Sequence, residues 1–92
     1  VRTKINKADL TFIIKIISNS PLAERFKAIE KNGEYLEKNK HPTGKYIIEL
    51  SDPEVDFILD RLSAYIMELG VDANGEINSI GIYVDSLIDL FN

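Results

Sequence analysis

Few side chains in this sequence could do chemistry, and their spacing limits what they could do. His41 is the one histidine, set beside proline in the polar stretch "KHPTG". Two carboxylate pairs, Asp56/Asp60 and Asp85/Asp89, stand at i,i+4, so each shares one face of a helix. Paired carboxylates that move protons or hold metals in helical proteins are supported by histidines, and none lies near either pair. The pairs therefore read as solvated, charged faces. No serine lies in a Gly-x-Ser-x-Gly elbow, and no phosphate-binding glycine pattern occurs. The absence of cysteine excludes disulfides and thiolate metal sites. This inventory points away from an enzyme and calls for no cofactor.

The stretch "ELGVDANGEINSIG", residues 68–81, is the closest approach to a metal motif. A calcium loop of the helix–loop–helix type takes ligands at positions 1, 3, 5, 7, 9 and 12, with glycine at 6. With Gly75 at position 6, Asp72 falls at 3, Asn74 at 5, Glu76 at 7 and Ile77 at 8. Positions 1 and 12 are then Gly70 and Gly81, so both anchoring carboxylates are missing. The expectation is a turn without metal: Gly70 stops one helix, Asn74 and Gly75 accept positive φ, and Asn78 or Ser79 caps the next.

The elements that would position these residues follow from apolar spacing and caps. A first helix is predicted from Lys7 to Ile17, capped by Asn6, with Leu10, Ile13, Ile14 and Ile17 inward. Ser20 and Pro21 start a second, burying Leu22, Phe26 and Ile29 and ending at Asn32–Gly33. From 45 to 50 the period changes to two, predicting a strand that pairs locally with "GEYLEK" across "NKHPTG" or lies alone. Ser51 and Glu54 form a capping-box pattern for a third helix, Asp52 to Leu69, burying Val55, Leu59, Leu62, Ile66 and Leu69. A fourth runs from Ser79 to Phe91, burying Ile80, Val84, Leu87, Ile88 and Phe91. The predicted fold is mainly α: a four-helix bundle-like single domain, residues 1–92, with a short β-hairpin or lone strand between helices two and three.

Charge is unevenly distributed. Residues 1–50 carry ten Lys/Arg against six Asp/Glu, and residues 51–92 carry Arg61 alone against nine acids. The halves are thus +4 and −8, which gives the overall −4. An acidic half repels phosphate backbones and attracts cationic partners. A helix-turn-helix reading of the first two helices is disfavoured as well, because the second begins "SPLAE", apolar and acidic where base-reading side chains are needed. No apolar run is long enough to span a bilayer and no signal peptide is visible, so a cytoplasmic protein is expected.

Stepping about 100° per residue from Val55 places Phe57, Asp60, Ala64, Met67 and Glu68 opposite the buried stripe. Ile82, Asp85 and Asp89 face outward on helix four. Apolar anchors among acids suit a surface for a basic protein, with Asp56, Phe57, Asp60, Met67, Glu68, Asp85 and Asp89 as candidate contacts. Two segments carry a family resemblance. "ADLTFIIKIISNS" resembles the first helix of the small acidic bacterial immunity proteins that neutralise nuclease colicins and pyocins, and "KHPTGKYII" resembles their His-Pro-Ser-Gly segment. Size and acidity agree with that family. The paired tyrosines that follow in the family are replaced here by "KYIIELSDP", and its terminal tryptophan-containing helix has no counterpart. The resemblance implies a non-enzymatic, immunity-type inhibitor of a basic toxin domain. The competing readings are a homodimeric module using the 45–50 strand edge and a small DNA-binding regulator.

Overall fold

A computed structural model of the chain describes residues 1–38 and 40–91. Asn39, part of the expected "NKHPTG" loop, lies outside the described residues. The described residues are mainly helical, with four helices and short antiparallel strands. It divides into two compact units, Val1–Ser51 and Asp52–Asn92. The division falls at the charge boundary in "SDPE".

In the first unit, strand β1 (Arg2–Asn6) leads into helix α1 (Lys7–Ile16). The Asn6 side chain accepts from the Asp9 N–H at 2.8 Å, which satisfies one of the free amides of the first turn. Asn19, at φ 67°, reverses the chain. Ser20 then caps helix α2 (Pro21–Asn32) by accepting from the Ala23 N–H at 3.1 Å. Gly33, at φ 97°, lets the chain leave the helix in a conformation that side chains resist. Two-residue strands β2 (Leu36–Glu37) and β3 (His41–Pro42) pair in register Leu36↔Pro42 and Glu37↔His41. Strand β4 (Lys45–Glu49) completes the unit.

The main correction concerns β4. It does not form a hairpin with "GEYLEK"; it pairs antiparallel with β1, Thr3 opposite Ile48 and Ile5 opposite Tyr46. Among the described residues, one backbone–backbone bond joins that segment to β4, from the Tyr35 N–H to the Lys45 carbonyl at 2.7 Å. The alternation of β4 puts Tyr46, Ile48 and Leu50 on one face, and β1 adds Ile5 to it. These are buried together with Leu10, Ile13 and Ile17 of the α1 segment and Leu22, Ala23 and Phe26 of α2. Ile14 and Ile29, expected inward, are half-buried. Pairing with β1 gives β4 a long ladder and the helices a sheet face to cover, which a two-residue hairpin could not supply.

The second unit is a helical hairpin of α3 (Asp52–Leu69) and α4 (Ser79–Leu90). Val55, Ile58 and Leu62 are buried on α3, and Gly81, Val84 and Leu87 on α4, with Phe91 just beyond. Leu59, Ile66 and Ile88 are half-buried, while Leu69 and Ile80, both predicted inward, are exposed. The apolar period names the correct face but runs past the ends of the buried stretch. No described helix is long and apolar enough to cross a membrane.

Candidate functional site

The site is built on the hairpin of the second unit, and its geometry starts from two glycines. A Cβ added to Gly70 would lie 2.9 Å from the Gly81 Cα, and one added to Gly81 would run into the Gly70 carbonyl oxygen. Only residues without a Cβ allow the end of α3 to meet the start of α4 this closely. Asn78 bridges the same junction. Its Oδ1 accepts from the Gly81 N–H at 2.9 Å, its Nδ2 donates to the Leu69 carbonyl at 2.9 Å, and its own N–H donates to the Gly70 carbonyl.

Between the glycines, Asp72 organises the loop. Its Oδ1 accepts from the Asn74 and Glu76 amides at 2.9 and 3.0 Å, an arrangement of the Asx-turn kind. Gly75 takes the positive φ, at 79°, whereas Asn74 does not. A single antiparallel bridge joins Val71 and Ile77. The two glycines at the missing anchor positions of the calcium frame thus meet backbone to backbone, and the Asp72 oxygen serves loop amides. Among the described residues, no group of three or more His, Asp or Glu could hold a metal ion.

The seven candidate residues divide by position. Asp56, Asp60, Met67 and Glu68 are exposed on α3, and Asp85 and Asp89 are exposed on α4. Met67 is the extreme case at 79% exposed. Phe57 is half-buried, and the Arg61 guanidinium lies over its ring, 5.1 Å from the centroid. That is within range of a cation–π contact, so Phe57 presents less free ring than an exposed aromatic anchor. Arg61 is also the only Lys or Arg after residue 50, so the one cation of this unit is already engaged.

Helical spacing sets Asp56, Asp60, Ala64 and Met67 along one outward face of α3, and Ile82, Asp85 and Asp89 along that of α4. Sequence reasoning missed the exposure of Leu69, Val71, Ile77 and Ile80 around the loop. Their position at the helix ends (Leu69, Ile80) and in the loop between them (Val71, Ile77) was the available signal. His41 is exposed in β3 of the first unit. Comparison with protein-family models, with characterised proteins and with solved structures finds nothing that matches this chain.

Proposed function

We propose that this chain is a non-enzymatic protein-binding module of the cytoplasm that docks on a basic protein and neutralises it, in the manner of an immunity-type inhibitor of a toxin domain. The observation that carries this reading is the charge of the second unit. One arginine stands against nine acids, and both outward helix faces display aspartates at i,i+4. Such a field raises encounter rates with a cationic partner and penalises anionic ones. Exposed Met67 and Ile82 among these acids supply apolar contact area once the partner has arrived. The first helix and the "KHPTGKYII" segment resemble the immunity proteins and support the same class.

The experiment is capture on the immobilised chain from an extract of its native host, followed by elution with salt. A basic protein should be retained at low ionic strength. A Phe57→Ala, Asp60→Ala variant should stay folded and fail to retain it; retention unchanged by that double substitution contradicts the proposal.

One observation bears on the self-association reading. The inner edge of β4 is taken by β1, and two carbonyls of its outer edge accept from Tyr35 and from the Arg25 side chain at 3.0 Å. This leaves less free edge on residues 45–50 than a homodimer built there would use. For the DNA-binding reading, Leu22 and Ala23 at the start of α2 are buried, so they offer nothing to a groove.

A further inference from the structure

The two-stranded sheet of the first unit has two edges, and its hydrogen-bond phase fixes what each presents. Val1 and Leu50 exchange both backbone bonds, each 2.7 Å long. In an antiparallel ladder such pairs alternate with pairs that exchange none. Thr3 and Ile5 therefore bond to β4, while Arg2, Lys4 and Asn6 direct their backbone groups away from it. The same alternation turns Lys45 and Glu49 outward on β4, and there Tyr35 and Arg25 reach their carbonyls. The edge of β1 has no such cover. The Asn6 carbonyl belongs to the first turn of α1, as that of a capping residue does. The N–H and C=O of Arg2 and Lys4 and the N–H of Asn6 have no hydrogen-bond partner among the described residues.

We infer that β1 binds an extended acidic segment of a partner protein, which adds a third strand to the sheet. This goes beyond the proposed function, since it uses the first unit and the opposite charge. Main-chain bonds give such a contact its affinity, and alternate side chains give it specificity. Arg2, Lys4 and Lys45 are exposed on the sheet face that points away from the core. Glu49, 3.7 Å from Arg2, is the one acid at the ladder positions of that face. Three cations against one acid leave +2 there. The Lys4 ammonium lies over the Tyr35 ring, 5.0 Å from its centroid, which holds the charge beside the ladder.

Charge decides the occupant. A strand that bonds to Arg2 and Lys4 sets its own residues i and i+2 opposite them, on the same face. Asp or Glu at those two positions forms an opposite-charge pair with each cation. A second copy does the reverse. The antiparallel registers that use both residues of each copy set Arg2 against Lys4, or Lys4 against itself, and like charges directly opposite are destabilising. Lysine on an edge commonly deters strand pairing. Here the deterrence is selective, because an acidic strand turns the same charge into an attraction.

The test titrates the isotope-labelled chain at physiological ionic strength with a synthetic peptide that alternates glutamate and valine, and follows amide exchange by NMR. The Lys4 and Asn6 amides should become protected on binding, whereas those of Thr3 and Ile5 are protected throughout. Methylating the glutamate nitrogens should abolish binding, because those N–H groups point to β1; methylating the valine nitrogens should not. Lys4→Glu should weaken binding about tenfold, as an attraction becomes a repulsion. Should that variant lose its fold, Lys4→Gln reads the same position. No binding up to about 1 mM peptide, equal binding after glutamate methylation, or equal binding of a lysine–valine peptide overturns the inference. A wild-type dimer that protects the same two amides without peptide assigns the edge to a second copy and also overturns it. Each of these results leaves the charge-based reading of the second unit standing.

Discussion

Gly70 and Gly81 touch through their backbones, the first ending α3 and the second in the opening turn of α4. No side chain fits between them: a Cβ on Gly81 would meet the Gly70 carbonyl and the Ile77 side chain. The angle of the hairpin, and so the alignment of its two acidic faces, depends on this contact.

Gly81→Ala should therefore destabilise the second unit although alanine is the better helix former. Propensity returns about 1 kcal/mol, and overpacking against a backbone carbonyl that cannot swing away costs about 1–3 kcal/mol. A net loss of up to about 2 kcal/mol should appear as a lower urea midpoint with unchanged slope. A stabilised variant would show that the helices are not in contact there.

Asn78→Ala removes the amide that caps α4 and also holds the Leu69 carbonyl. The expected cost is about 1–2 kcal/mol, the upper part of the range for a cap. Asn78→Ser keeps a cap but not the bond to Leu69, so it should fall between alanine and wild type in the same urea titration.

Calcium should leave the melting temperature unchanged. A ligand that binds only the folded state raises it, and the weakest extracellular calcium modules bind at up to about 1 mM. Differential scanning fluorimetry with and without calcium at about that concentration measures this directly. An upward shift would mean that the loop rearranges to present Asp72 and Glu76 to the ion.

Ile5→Ala should be costly in the first unit, about 2–5 kcal/mol, because Ile5 is 1% exposed and faces Tyr46 across the sheet. Leu36→Ala, at an exposed position of β2, should cost about 0.5 kcal/mol or less. Comparable losses from the two would contradict the pairing of β1 with β4.

The helices were legible because their signals are local. Asn6 and Ser20 cap where their side chains predict, Asn78 rather than Ser79 caps α4, and α3 spans the residues that the pattern marks out. β1 was not legible as the partner of β4. "VRTKIN" does alternate, yet its charges at Arg2 and Lys4 hide the pattern, and loop-closure entropy favours the nearby "GEYLEK". The ladder with β1 wins because it covers five residue pairs, Arg2↔Glu49 through Asn6↔Lys45. Leu69 and Ile80 were misplaced for a different reason: periodicity gives the face of a helix but not how far along it the covering element extends. The two glycines were read as a helix stop and a missing ligand, while their close contact needs coordinates to be seen.

The central claim is that the acidic second unit binds a basic protein. Its most direct test is titration of the partner captured from the native host against the wild-type chain and against Asp56→Asn, Asp60→Asn, Asp85→Asn, Asp89→Asn. These four aspartates are exposed, so helical content should be unaltered. The account predicts a loss of affinity of about tenfold or more, carried largely by slower association and shrinking as salt is raised. Equal affinity and equal salt dependence for the two proteins would contradict it.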